Sequence, residues 1–136
     1  MSSRLSKVFA PALLCVVLPG TVAASPAGTK FEVDRAKVYY GNPDAYTKPA
    51  VVHAPTVFKH IEAYKKIEQE GIKKDSARYF LLMQEANQAF REAVKKVALQ
   101  EKVDLVGEKG TVRVVEGEAE LGDLTQKVVR VFTEGS

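Results

Sequence analysis

The pattern of apolar and polar positions divides the chain into short strands and helices. A short apolar run with β-branched residues, Ala50–Ala54, predicts a buried strand. From Pro55 to about Glu70, apolar residues recur every three or four positions, which predicts an amphipathic helix that ends at Gly71. The apolar face of this helix consists of Val57, Phe58, Ile61, Tyr64 and Ile67.

A second, longer helix is predicted from Asp75 or Ser76 to about Lys102, a stretch without glycine or proline. Roughly 27 residues at about 1.5 Å each make it about 40 Å long, more than a domain of this size needs for its own core. One stripe has the alternating spacing of a coiled-coil seam: Phe80, Met83, Asn87, Phe90, Val94 and Val97. This stripe packs either on the chain's own sheet, or against another helix, with Asn87 setting the register and the oligomer number.

Shorter patterns follow the long helix. Val103–Val106 and Thr111–Val115 predict two strands of a β-hairpin, with Gly110 at a positive φ in the turn. Near the end of the chain, Asp123 predicts the N-cap of a short final helix. The predicted fold is therefore α+β: a small β-sheet with a short helix, one long helix and a short C-terminal helix.

The segment before Ala50 is less regular. Phe31–Tyr40 fits an alternating edge strand, but Asp34–Lys37 fits a turn of helix equally well. Turn-forming residues then continue to Pro49. We therefore predict residues 25–49 as an N-terminal extension and loop, and residues 50–134 as a single domain.

The first 24 residues have the organisation of a secretory signal peptide. Arg4 and Lys7 form a basic start, a short apolar run follows, and Val22–Ala24 supplies small residues for cleavage. The run is shorter than the roughly 20 residues that a membrane-spanning helix needs. A retained anchor helix and lipid attachment at Cys15 are the alternatives. We predict a periplasmic protein, exported and without an integral membrane segment after cleavage.

Cleavage also changes the composition. It leaves 112 of the 136 residues and removes the single cysteine, so no disulfide framework is expected. Arg4 and Lys7 leave with the peptide, so 18 basic side chains remain beside 17 acidic ones, a net charge of +1. A nucleic-acid-binding protein typically carries a clustered excess of basic residues. We therefore expect no nucleic acid as a partner.

Residues suited to catalysis or metal binding are few. The two histidines, His53 and His60, have no further ligand at a metal-binding spacing. Phosphate-binding loops, nucleophile elbows and the HExxH motif are absent from the sequence. Asp104 is interpreted either as a buried acid for proton transfer or as an exposed strand carboxylate that discourages edge pairing. We predict no catalytic residue, no metal, no cofactor and no small-molecule substrate, hence no enzyme.

Two stretches of the chain resemble the Skp (OmpH-like) periplasmic chaperones. AVVHAPTVFKHIEAYKKI resembles the strand and helix that open the family, and VDLVGEKGTVRVV with DLTQKVVRVF resembles its closing strands and helix. The resemblance extends over Ala50–Phe132 and implies a trimer whose arms enclose an unfolded outer-membrane protein. His53 stands where the family often has aspartate. The family's long arm helices are absent, because GIKKDS turns the chain back after about four helical turns.

These observations favour an exported, chaperone-like or protein-binding protein that holds unfolded or partner envelope proteins without catalysis, as a homo-oligomer. The candidate client contacts lie on the helices: Phe58, Tyr64, Lys65, Lys66 and Tyr79. The alternative is a small envelope adaptor that docks on a folded outer-membrane or secretion assembly. In that case residues 25–49 would add a strand to the edge of a partner's sheet.

Overall fold

The structure, a computed structural model, describes residues 28–135, and the predicted signal peptide lies outside them. These residues form an α+β fold, as predicted from the sequence. In chain order the elements are β1 (Lys30–Val33), β2 (Val38–Gly41), β3 (Pro49–Val52), α1 (Ala54–Phe58), α2 (Glu62–Gln69), α3 (Ala77–Glu101), β4 (Leu105–Glu108), β5 (Val112–Glu116), β6 (Gly122–Asp123) and α4 (Thr125–Thr133).

Four of the strands form a mixed sheet in the order β2-β4-β3-β6. β3 is parallel to both β4 and β6, whereas β2 is antiparallel to β4. All four residues of β3 are buried, which confirms the predicted strand at Ala50–Val52. The predicted last two residues lie outside it, because His53 is the N-cap of α1 and Ala54 its first residue. Because parallel neighbours need a crossover connection, the chain passes through α1, α2 and α3 between β3 and β4.

The predicted hairpin between Val103–Val106 and Thr111–Val115 is wrong. Both strands exist, as β4 and β5, and Gly110 has the expected positive φ of 90°. However, β4 has β2 on one edge and β3 on the other, so both of its hydrogen-bonding edges are occupied. β5 pairs instead with β1 in a separate two-stranded antiparallel sheet, with Phe31 opposite Val114.

The single helix predicted from Pro55 to Glu70 is also wrong, because the chain breaks it into α1 and α2. Ile61, the N-cap residue of α2, has an extended backbone with φ −85° and ψ 127°. Its side chain is only 2% exposed. α1 packs against α4 and also contacts α3, and α2 packs against α3. The break satisfies both contacts and places Ile61 in the core.

The long helix α3 agrees with the prediction in both of its ends. Ser76 Oγ accepts a hydrogen bond from Tyr79 N at 3.2 Å, which caps the first turn. At the other end Lys102 takes a left-handed conformation with φ 56°. The 25 residues span about 38 Å. The buried residues of α3 begin only in its third turn: Ala86, Phe90, Ala93, Val94, Val97 and Ala98.

The segment predicted as an N-terminal extension contributes two strands to the described fold. β2 pairs with β4 at one edge of the mixed sheet, and β1 pairs with β5. A short 3-10 helix, Arg35–Lys37, connects them. The sequence allowed either an edge strand or a helical turn in this segment, and the structure contains both, at different positions. In the structure the folded unit includes Lys30 onward and does not begin at Ala50.

Candidate functional site

The stripe of α3 that was predicted as a helix seam is buried in its C-terminal half. Phe90, Val94 and Val97 are 2%, 0% and 2% exposed. They belong to a core that also contains residues of the sheet and of α1, α2 and α4. The intramolecular interpretation therefore applies to these three residues, and they have no surface left for a partner helix.

The N-terminal half of the same stripe is accessible. Asn87 is exposed, Met83 is half-buried and Phe80 is 62% exposed. Leu81, which the sequence analysis did not single out, is 67% exposed. The Tyr79 ring contacts the Phe80 ring edge-on, with centroids 5.9 Å apart. We call Tyr79, Phe80 and Leu81 the apolar helix end.

Beside this helix end, a cavity of about 480 Å³ opens between β2 and the first three helices. We call it the aromatic pocket and define it by five of its lining residues: Tyr39, Phe58, Tyr64, Met83 and Glu108. Phe58 and Tyr64 were predicted as client contacts and Met83 as part of the seam. The structure therefore brings residues from two separate sequence predictions together at one site.

The walls of the aromatic pocket rest on Phe90. The Tyr39 ring meets the Phe90 ring edge-on, at a centroid distance of 4.9 Å and an angle of 89°. The Phe58 ring lies 5.1 Å from Phe90, and the Tyr64 ring stands against Phe58 at 5.6 Å. Such edge-to-face and tilted pairs are the favoured aromatic geometries. The pocket is therefore formed by rings that already support one another.

A carboxylate lies in this otherwise largely apolar pocket. Glu108 Oε2 accepts hydrogen bonds from Tyr39 Oη at 2.8 Å and from Ala54 N at 3.1 Å. Burial raises the pKa of Tyr39, and the hydrogen bond to Glu108 raises it further, so the hydroxyl remains the donor. Both bonds use Oε2, and among residues 28–135 the structure shows no partner for Oε1. Glu108 thus ties β2 and α1 together and keeps an acceptor available.

Tyr39 reaches Glu108 because the register of β2 shifts. Val38 lies opposite Gly107 and Tyr40 opposite Val106, with an irregularity between Val38 and Tyr40. A bulge of this kind redirects a side chain away from strict alternation. Tyr39 is the residue at this irregularity, which explains how a strand residue enters the wall of a pocket under the helices.

Two further predicted client contacts, Lys65 and Lys66, do not line the pocket. Lys65 Nζ pairs with Glu62 Oε2 at 3.6 Å, with both side chains accessible, and Lys66 is exposed. An exposed pair of this kind contributes little to stability. These two lysines therefore provide positive charge on α2, beside Tyr64.

A second concavity, of about 580 Å³, lies at the carboxyl ends of the parallel strands, where open α/β sheets often bind ligands. Here His53 Nδ1 is 2.6 Å from Thr56 Oγ1, and Thr125 Oγ1 accepts from His53 N at 2.9 Å. Asp123 Oδ1 accepts from Thr125 N at 2.9 Å, and Asp123 Oδ2 lies 3.0 Å from Lys109 Nζ. These bonds hold β3, β6 and α4 together. The predicted N-cap at Asp123 is wrong by one residue, because Leu124 is the N-cap of α4, but Asp123 still accepts the Thr125 N–H in the first turn.

Burial alone would raise the pKa of Asp123, but the hydrogen bonds from Thr125 and Lys109 outweigh it and lower that pKa overall. His60 lies apart from this cluster, in the turn between α1 and α2. Within residues 28–135, no group of three or more His, Cys, Asp or Glu side chains could hold a metal ion. Over the same residues, no helix has the length and apolar character that crossing a membrane requires.

Asp104 anchors a loop, so its interpretation as an exposed strand carboxylate that discourages edge pairing is wrong. Asp104 Oδ2 accepts from Thr47 N at 2.6 Å and Thr47 Oγ1 at 2.8 Å, and Oδ1 accepts from Lys48 N at 2.8 Å. Burial opposes ionisation of Asp104, but these donors prevail and lower its pKa. The carboxylate therefore holds the loop before β3 against the start of β4.

We expect Asp104→Asn to lower the free energy of unfolding by about 1–2 kcal/mol at pH 7, because an amide loses charge-assisted hydrogen bonds. Because the pKa of Asp104 is lower in the folded state, its ionised carboxylate stabilises the protein at any pH above its unfolded-state pKa, which is near 4. This stabilisation is lost as the pH falls through the lower pKa of the folded state. The variant should therefore lose less stability than the wild type on acidification. Urea unfolding from pH 7 to pH 3 measures this. Asp75→Asn, at an exposed position, is the control. If Asp104→Asn lost as much stability on acidification as the wild type, Asp104 would not anchor the loop through its ionised carboxylate.

Comparison of the chain with family models, curated proteins and solved structures finds no match. The resemblance to the Skp family therefore stays a prediction from the sequence.

Proposed function

We propose that this protein is an exported, periplasmic protein-binding protein, chaperone-like and without catalysis, that holds apolar segments of unfolded or partner envelope proteins. One observation carries the proposal. Phe80 and Leu81 are 62% and 67% exposed on a regular helix, beside a pocket with aromatic walls. Burying such side chains against another protein is favourable, at roughly 25 cal/mol per Å² of apolar surface.

The apolar helix end is held in place by the rest of the chain, so its exposure does not arise from a frayed terminus. α2 packs along α3. Ser76 caps the first turn of α3. The side chains are therefore presented on a fixed backbone, which lowers the entropy lost when a partner binds.

The helix end and the aromatic pocket can act on one bound segment. Phe80 precedes Met83 by three residues, so the two side chains lie on the same side of α3. Met83 lines the pocket, and methionine adapts its shape to different apolar groups. A segment that covers Phe80 can thus place its next apolar side chain in the pocket.

The adaptor alternative drew its support from residues 25–49 as a free strand. Within that segment, β1 and β2 pair with β5 and β4 of the same chain. Their backbone groups facing these partners are already used. We therefore do not base a second function on strand addition from this segment.

Suppression of aggregation tests the proposal. We expect the purified protein to slow the aggregation of an unfolded outer-membrane protein, measured by light scattering after dilution from urea. Replacing Phe80 and Leu81 together with serine should remove most of this effect, because it removes the exposed apolar surface. Light scattering after size exclusion then shows whether the protein acts as the oligomer that the family resemblance implies.

Leu99→Ser is the matched control, since Leu99 is also an exposed leucine, 60% accessible, on the same helix but away from the pocket. It should retain wild-type activity. An equal loss in both variants would show a general effect of surface apolarity. Failure of the wild-type protein to slow aggregation would overturn the proposed function.

A further inference from the structure

We propose that the aromatic pocket binds the indole side chain of a tryptophan from a partner protein, with the indole N–H donating a hydrogen bond to the Glu108 carboxylate. This inference rests on the proposed function and specifies the chemistry of the partner. It follows from three properties of the pocket: its aromatic walls, the Glu108 carboxylate as an acceptor and the positive charge at its rim.

The walls favour a flat, largely apolar group. The rings of Tyr39, Phe58 and Tyr64 and the thioether of Met83 line a cavity of about 480 Å³. Aromatic groups pack on such walls with offset or edge-to-face contacts, and methionine sulfur adds favourable contacts with rings. An indole is the largest flat side chain that proteins offer, so it buries the most apolar surface here.

The carboxylate requires a donor. A purely apolar side chain, such as leucine or phenylalanine, would bury Glu108 further without giving it a hydrogen bond, and that burial is unfavourable. The two hydrogen bonds that Glu108 accepts both go to Oε2, so Oε1 can accept another. The indole N–H is a donor only, which matches an acceptor that has nothing to donate.

The rim decides between a neutral donor and a cation. Lys37 lines the pocket together with Glu108. A lysine or arginine from the partner would meet this like charge as well as the carboxylate. A neutral donor avoids this repulsion. The occupant must also come from another protein, because this chain contains no tryptophan.

The absence of tryptophan makes the test direct, since all indole fluorescence belongs to the probe. The probe is the peptide acetyl-Gly-Trp-Gly-amide, titrated with the purified protein. We expect a saturable blue shift of its emission. The same peptide with a methyl group on the indole nitrogen should bind about tenfold more weakly, because it has lost the donor to a charged acceptor. Acetyl-Gly-Lys-Gly-amide should compete poorly.

Two protein variants locate the binding. Met83→Glu places a second carboxylate in the pocket and should abolish the blue shift, while Leu99→Glu makes the same change in charge at an exposed position and should leave it intact. Equal affinity of the methylated peptide would overturn the contact with Glu108, and tighter binding of the lysine peptide would overturn the choice of a neutral donor. Absence of saturable binding by the tryptophan peptide would overturn the inference as a whole.

Failure here differs from failure of the proposed function. If the protein slows aggregation through Phe80 and Leu81 but does not bind the indole peptide, only the assignment of the pocket falls. If it binds the indole peptide but does not slow aggregation, the indole site stands and the chaperone-like function falls.

Discussion

Phe90→Ala is expected to lower the free energy of unfolding by about 3–5 kcal/mol, the usual range for a buried phenylalanine. Phe90 is 2% exposed and is among the largest fully buried side chains of the described residues. Its ring touches the rings of Tyr39 and Phe58, so its removal leaves a cavity below the aromatic pocket. Urea unfolding followed by circular dichroism measures the loss.

Phe80→Ala is the matched control, since it removes the same side chain from the same helix at a position that is 62% exposed. It should change the free energy of unfolding by less than about 0.5 kcal/mol. Similar losses in both variants would mean that Phe80 is buried in solution. That result would contradict the apolar helix end as a surface open to a partner.

The Phe90 substitution should also affect binding, since Tyr39 and Phe58 rest on that ring. Without this support the two walls can move, and the pocket loses the fixed geometry that favours association. Stability and recognition are therefore coupled at this residue, whereas at Phe80 they are separate. The pair of variants distinguishes a residue that builds the site from one that contacts the partner.

The elements whose determinants are local in sequence could be predicted from it. The long helix α3 follows from Ser76 as N-cap and from the absence of glycine and proline before Lys102. The buried strand β3 follows from an apolar run with β-branched residues. In both cases the residues that decide the structure are neighbours in the chain.

The hairpin and the single helix were predicted wrongly because both arrangements depend on distant residues. Periodicity continues through Ile61, and no glycine or proline marks the break, because all the apolar positions still face the core. The main packing partner changes at the break, since α1 packs mainly on α4 and α2 packs on α3. Likewise, β4 and β5 are adjacent in sequence, but β2 and β3 occupy both edges of β4.

The candidate site was predictable in part for the same reason. Phe58, Tyr64 and Met83 lie on apolar helix faces and were identified, although not as members of one pocket. Tyr39 and Glu108 were missed. Glu108 reads as part of a turn, and its contact with Tyr39 joins residues 69 positions apart. Only the pairing of β2 with β4, including its irregular register, brings them together.

The same pairing depends on Gly41, and Gly41→Ala should destabilise the protein by at least about 3 kcal/mol. Gly41 lies opposite Leu105 at the end of β2, with a φ of 91°. A Cβ there would stand 2.0 Å from the carbonyl oxygen of Asp104, a backbone atom that cannot move without shifting β4. The variant should therefore displace β2, and with it Tyr39 and the pocket wall. Urea unfolding and indole-peptide binding measure both effects.

Gly110→Ala separates the effect of backbone strain at a positive φ from the effect of a steric clash with the neighbouring strand. Gly110 has nearly the same φ, 90°, but a Cβ there would meet no atom within 4 Å. Backbone strain alone remains, so we expect a loss of about 1–2 kcal/mol and an unchanged affinity for the indole peptide. Because the two glycines have nearly the same φ but different space around a Cβ, the excess loss at Gly41 measures how closely β2 approaches β4. Equal losses would mean that this approach is looser in solution than the structure has it, and that Tyr39 is not held against Glu108 by the strand pairing.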